Sequence, residues 1–214
     1  MTYDENIPGW IVLADLRFIE MLSKMIPEGG EMVEVGAWCG RSTYAWAKSV
    51  RSGVKVHVID SWLWMPEYPA TDPGGPLSSD NDPLELFKKY TSSCDNIIIH
   101  QGHSPMTHPP IPEHGFDLVF LDGDHQSPGI DNDIDFWSNH LKKETGVICG
   151  DDYGSGWQDG EDRWPNITNA VNRLRDKTNF TLFTSPHKLW ALLPDEQASN
   201  FLLSNKASTW RLRL

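Results

Sequence analysis

The sequence is short of cysteine, of positive charge and of long apolar runs. It contains three cysteines in 214 residues, Cys39, Cys94 and Cys149, and no CxxC pair. A disulfide scaffold and a thiolate zinc site are poor fits, and reduced thiols are the simple reading. The opening Met1-Thr2-Tyr3-Asp4-Glu5-Asn6 lacks the basic region of a secretory leader. No apolar run approaches the ~20 residues needed to span a bilayer. A cytoplasmic location is the expectation. Lys plus Arg number 18 against 30 Asp plus Glu, a formal net charge of −12. So acidic a surface repels phosphate backbones and anionic lipid, which argues against nucleic acid and membrane as partners.

What is present suits one packed domain over residues 1–214. Hydrophobic residues make up 39 % of the chain, enough for a core. Apolar runs at 32–35, 54–60, 97–100, 116–122 and 146–149 read as strands. Between them, 41–50, 84–92, 128–142 and 165–177 read as helices, and 10–26 carries a helical stripe before the first strand. Two closing strands near 180–184 and 188–193, joined by a short turn, put one antiparallel strand at or near an edge. The expected fold is α/β: a Rossmann-like, doubly wound, mostly parallel seven-stranded sheet with one antiparallel strand and helices on both faces. Residues 61–95 interrupt the rhythm with a proline- and glycine-rich stretch, read as a lid or substrate-loop insertion.

Ligands of such sheets bind beyond the carboxyl ends of the strands. Here those ends carry Gly36, Asp60, His100, Asp122 and Asp151-Asp152. The first turn, Glu34-Val35-Gly36-Ala37-Trp38-Cys39-Gly40-Arg41-Ser42, lacks the second glycine of the dinucleotide fingerprint, because Trp38 occupies that place. It also lacks the Gly-Lys-Ser/Thr of a P-loop. A nucleoside with a cationic or zwitterionic tail suits the acidic residue before the loop, and Asp60 can accept both ribose hydroxyls.

Asp122-Gly123-Asp124-His125 and Gly150-Asp151-Asp152-Tyr153 meet if the fourth and fifth strands are neighbours. Four carboxylates and an imidazole then crowd together, which favours a cation, and an oxygen-rich set suits Mg²⁺ or another hard divalent ion. His125 can accept a proton at neutral pH, and Asp124 is the rival base.

These segments resemble the class I S-adenosylmethionine-dependent methyltransferases. Glu34-Val35-Gly36 through Gly40 and Ser42 is similar to the first motif, Val58-Ile59-Asp60 to the second, and Phe116 to Asp122 to the fourth. The acidic stretches resemble more narrowly the metal-dependent O-methyltransferases of the macrocin and mycinamicin type, and the related cephalosporin-hydroxylase-like group. The resemblance implies cofactor contacts from Glu34, Gly36, Ala37, Trp38, Gly40, Ser42, Asp60, Ser61, Gly102, His103, Ser104 and Asp122. It implies Asp122, Asp151 and Asp152 as metal ligands and His125 or Asp124 as the base. Glu67, Asp72, Asp80 and Asp82 are candidates for one more ligand. The implied activity is Mg²⁺-assisted O-methylation of a small molecule or sugar. A metal-dependent hydroxylase- or hydrolase-like enzyme on this fold and a non-catalytic nucleoside-binding module are the competing readings. The long N-terminal domain of the macrolide enzymes is missing from this sequence.

Ten tryptophans stand out. Trp62, Trp64, Trp157 and Trp164 fall near the carboxyl edge, where they can stack on a substrate or simply pack a loop. Trp46 and Trp137 belong in the core. Trp210, beside the basic Arg211–Arg213, suits a tail or a contact in a homo-oligomer. His57, His100, His108, His114, His140 and His187 show no ligand spacing and read as structural or surface residues.

Overall fold

The computed structural model describes residues 2–63, 82–154 and 161–204, and the backbone of 211–213. In chain order the elements are α1 (Leu13–Ser23), β1 (Glu31–Val35), α2 (Arg41–Ser49), β2 (Lys55–Asp60), α3 (Pro83–Thr91), β3 (Ile97–Gln101), β4 (Leu118–Leu121), α4 (Gly129–Ser138), β5 (Val147–Gly150), α5 (Pro165–Lys177), β6 (Thr181–Thr184), β7 (Trp190–Leu193), α6 (Asp195–Ser204) and β8 (Arg211–Arg213). Local chemistry sets several boundaries. Asp82 accepts the Leu84 N–H at 2.9 Å and caps α3, whose first residue is Pro83. Pro165 opens α5 in the same way. Gly40 precedes α2 at φ 92°.

The strand order is β3-β2-β1-β4-β5-β7-β6-β8. β1 to β5 pair in parallel, and β7 runs antiparallel to both β5 and β6. The expected mostly parallel sheet is therefore present. β8 extends it by one short strand, antiparallel to β6, from a stretch read in the sequence as a tail. The order reverses between β1 and β4, so the carboxyl ends of these two strands mark the switch point.

Each face carries its own core. On one, Met32, Val56, Val58 and Phe120 pack under Leu16 and Phe18 of α1, Trp46 of α2 and Phe87 of α3, joined by Phe201 of α6. On the other, Val33, Val119, Leu121 and Ile148 meet Ile134 and Trp137 of α4 and Val171 of α5. Burial on both sides is why β1, β4 and β5 read as continuous apolar runs. Trp46 and Trp137 are fully buried, as expected of core tryptophans. All three cysteines are free. Among the described residues, no helix is long and apolar enough to cross a membrane.

Candidate active site at the switch point

Gly36 leaves β1 at φ 82°, and a Cβ there would lie 2.0 Å from the Asp122 carbonyl oxygen. Only glycine lets the loop pass this close to the end of β4. Asp60, at the end of β2, is turned onto the loop. Its Oδ2 accepts the N–H groups of Ala37 (2.7 Å) and Trp38 (2.9 Å), and its Oδ1 accepts that of Trp62 (2.7 Å). A carboxylate has roughly four acceptor sites. Three are in use, which leaves one free. Trp62 donates its indole N–H to the Trp38 carbonyl at 2.9 Å and packs tilted against Phe87, ring centroids 5.0 Å apart. It is a buried brace of the loop and offers no open platform.

Glu34 lies under this loop, fully buried on β1. Its Oε2 accepts the Thr43 hydroxyl at 2.5 Å, while its Oε1 is buried with no partner. Burial pushes the carboxyl up to about 7, against the pull of the Ser42 and Thr43 hydroxyls, and the Asp60 charge adds to the rise. An orphaned acceptor in such a place fits a cationic donor such as an ammonium group. Thr43 is a contact that the motif reading did not single out.

β4 and β5 are neighbours, with Leu121 paired to Gly150, and their ends bring the two acidic segments together. Oxygen and nitrogen atoms of Asp122, His125 and Asp152 all lie within 4.8 Å of one another. His125 Nε2 is 2.8 Å from Asp152 Oδ2 and 3.9 Å from Asp122 Oδ1. The Trp164 ring sits 4.7 Å from the imidazole, so this tryptophan walls the cluster.

Asp151 is tied to Lys188. Its Oδ2 is 2.6 Å from Lys188 Nζ and its Oδ1 accepts the Asp152 N–H at 2.7 Å. Lys188 also meets Asp152 Oδ1 at 2.9 Å. The sequence grouped Asp151 with the ligands and assigned Lys188 no role. Burial, then repulsion from Asp151, hold Asp122 well above the ordinary carboxylate range. Burial pushes Asp151 up to about 6, with Lys188 pulling against it and Asp152 adding to it. For Asp152 burial is outweighed by the His125 hydrogen bond and by Lys188, and its pKa is lowered.

Other expected members lie apart from this convergence. Asp124 is exposed and accepts the Gln126 N–H at 2.8 Å, turned toward the start of α4. Ser104 donates to Asp133 at 2.5 Å and accepts the Trp137 indole N–H, which ties the loop after β3 to α4. His103 in that loop is exposed, and Gly102 lies under Thr107. The Ser61 carbonyl accepts from the Gln101 side chain at 3.5 Å. Asp82 is spent on its helix cap. Trp64, Glu67, Asp72, Asp80, Trp157 and Trp210 lie outside the described residues. A cavity of about 350 Å³ among Lys48, Arg51, Cys94 and Asn96 lies at the amino ends of β2 and β3, on the far side from this chemistry.

A glycine loop at the reversal of strand order, a buried acid beneath it and acids ending the neighbouring strands define a class I S-adenosylmethionine-dependent methyltransferase domain. The chain belongs to the methyltransferase-domain family, whose model matches residues 33–153, from β1 to just past β5. Among solved structures it is similar to a protein assigned as an O-methyltransferase in Klebsiella pneumoniae, at 13 % identity over 90 % of this chain and 87 % of that one (TM-score 0.60). It is similar to the O-methyltransferase from Bacillus cereus, solved with S-adenosylhomocysteine, at 16 % identity over 88 % and 84 % (TM-score 0.58). It is also similar to a precorrin-6y C5,15-methyltransferase from Geobacter metallireducens, at 14 % identity over 84 % and 87 % (TM-score 0.53). At these identities the likeness is one of fold. No curated protein sequence matches the chain.

Proposed function

We propose that the chain is an O-methyltransferase that moves the methyl group of S-adenosylmethionine to a hydroxyl of a small molecule or sugar, with a hard divalent cation such as Mg²⁺ at the acid cluster. One observation carries this reading: Asp122, His125 and Asp152 converge beside the Gly36 turn. Two solved structures of the same fold bear the O-methyltransferase description. The precorrin enzyme shares the fold too, so the acid cluster rather than the sheet selects oxygen as the acceptor.

When bound, the cofactor supplies an electrophilic methyl group, and a divalent cation supplies charge that eases deprotonation of an acceptor hydroxyl. The chain's residues do the rest. The free Oε1 of Glu34 accepts from the cofactor's ammonium group. The loop from Gly36 to Gly40, with Ser42 behind it, fixes the methionine end, and Asp60 takes one ribose hydroxyl. Ser61 and the loop Gly102-His103-Ser104 border the nucleoside. Asp122 and Asp152 would hold the cation, and His125, whose Nε2–H donates to Asp152 Oδ2, accepts the hydroxyl proton at Nδ1. Trp164 limits water access to the imidazole. Positioning of the two reactants accounts for much of the rate.

The 4.8 Å convergence favours a second reading, in which His125 is itself a ligand. His125→Gln separates the two. If His125 is the base, turnover falls about 100-fold or more while Mn²⁺ affinity stays within about threefold. If affinity drops about tenfold or more, His125 is a ligand and the assignment of the base is wrong.

A further inference from the structure

We infer that Lys188 is the resident counter-ion of the acid cluster: it holds Asp151 away from the cation and leaves Asp122 and Asp152 to bind it. The inference rests on the cation site proposed above and adds a residue from the turn between β6 and β7. The Lys188 side chain is 10 % exposed, with its ammonium 2.6 Å from Asp151 and 2.9 Å from Asp152. An ammonium so buried persists only when paired. Both Asp151 oxygens are engaged, one by Lys188 and one by the Asp152 N–H. Asp152 takes φ 64°, and its Oδ2 turns to His125 while its Oδ1 stays on Lys188. Two aspartates adjacent in sequence are thereby divided: Asp151 is held by Lys188 and the Asp152 N–H, and Asp152 is shared between Lys188 and His125.

Lys188 is within 3 Å of two of the three acids that end β4 and β5. Without its ammonium nothing among the described residues would hold Asp151 Oδ2, and Asp151 would be free to turn to the ion. A lysine suits the post because its charge is compact and reaches two carboxylates from a flexible stem.

Calorimetric titration of the full chain with Mn²⁺ tests this, in the native protein, in Lys188→Met, in Asp151→Asn and in the double variant. Asn keeps an oxygen for the Asp152 N–H. We expect Lys188→Met to bind about tenfold more tightly and Asp151→Asn about tenfold more weakly, with the double variant within about threefold of native. A double variant that loses about tenfold or more makes Asp151 a ligand and overturns the inference while the cation site stands. Lys188→Met binding no more tightly than native overturns the counter-ion role. A native chain that binds no Mn²⁺ removes the cation site, and the inference with it. If Lys188→Met does not fold, the double variant decides, because it removes both members of the buried pair together.

Discussion

A carboxyl group buried without a full set of partners is the residue on which the cofactor reading leans. Glu34 lies two places before Gly36, so its importance is legible in the sequence, but its electrostatics are not. Those come from burial under α2 and from Thr43, nine residues along, donating to one oxygen only. Its pKa is raised from 4.5 to about 7, so the folded chain holds a proton that the unfolded chain releases between those values. The resulting stability is fully present below about pH 4.5 and is lost as pH rises through about 7. Glu34→Gln should flatten this part of the profile, with a gain over native at pH 8 on the order of a few kcal/mol, read by urea unfolding at pH 5 and pH 8. Parallel profiles for the two proteins would contradict it. Lys188 marks the opposite case of legibility. It sits in no motif, and its partners lie 36 and 37 residues earlier on another strand end, so only the antiparallel placement of β7 beside β5 brings them together.

The elements beside the site were legible to different degrees. α5 begins at Pro165 and ends at Lys177, as the sequence reading has it, because a proline start and a strong apolar stripe agree. β4 is shorter than its apolar run: Phe116 leaves the ladder and makes an isolated bridge to Leu141. α6 escaped notice although Pro194 followed by Asp195 and Glu196 is a helix-start signal, and β8 lies in a stretch with no strand pattern. The segment before α1 was equally silent. It is held by Arg41, the first residue of α2, whose guanidinium donates to the carbonyls of Ile7 (2.6 Å), Ile11 (3.0 Å) and Glu5 (3.0 Å). Trp10 lies 5.8 Å from Trp38 in the glycine loop, so the same anchor places the N-terminal segment against that loop. Arg41→Ala should release it. Chymotrypsin should then cut near Trp10 at least about tenfold faster than in the native chain, at matched global stability. Unchanged cleavage would show that Ile7, buried in the native fold, holds the segment without the arginine.

Across the whole molecule, the alternation of strands and helices reveals the architecture, and the strand order then determines which motifs meet. β1, β2, β4 and β5 are consecutive in space, so the glycine loop, Asp60, Asp122 and Asp152 gather at one edge although they span residues 36 to 152. The pairing of β4 with β5 and the family resemblance place Asp124 and Asp151 among the expected members of the cluster. A local turn directs the first to Gln126, and Lys188 captures the second. The acceptor is not legible at this scale, since solved structures of the same fold carry different methyltransferase names at 13–16 % identity.

The central claim is that one edge of the sheet binds both the cofactor and a divalent cation, and calorimetric titration of the native chain with S-adenosylhomocysteine, with and without Mn²⁺, tests it most directly. The account predicts saturable binding of S-adenosylhomocysteine, lost about tenfold or more in Glu34→Ala, and separate binding of Mn²⁺ that disappears in Asp122→Asn. No binding of S-adenosylhomocysteine under either condition, or Mn²⁺ binding indifferent to Asp122, would contradict it.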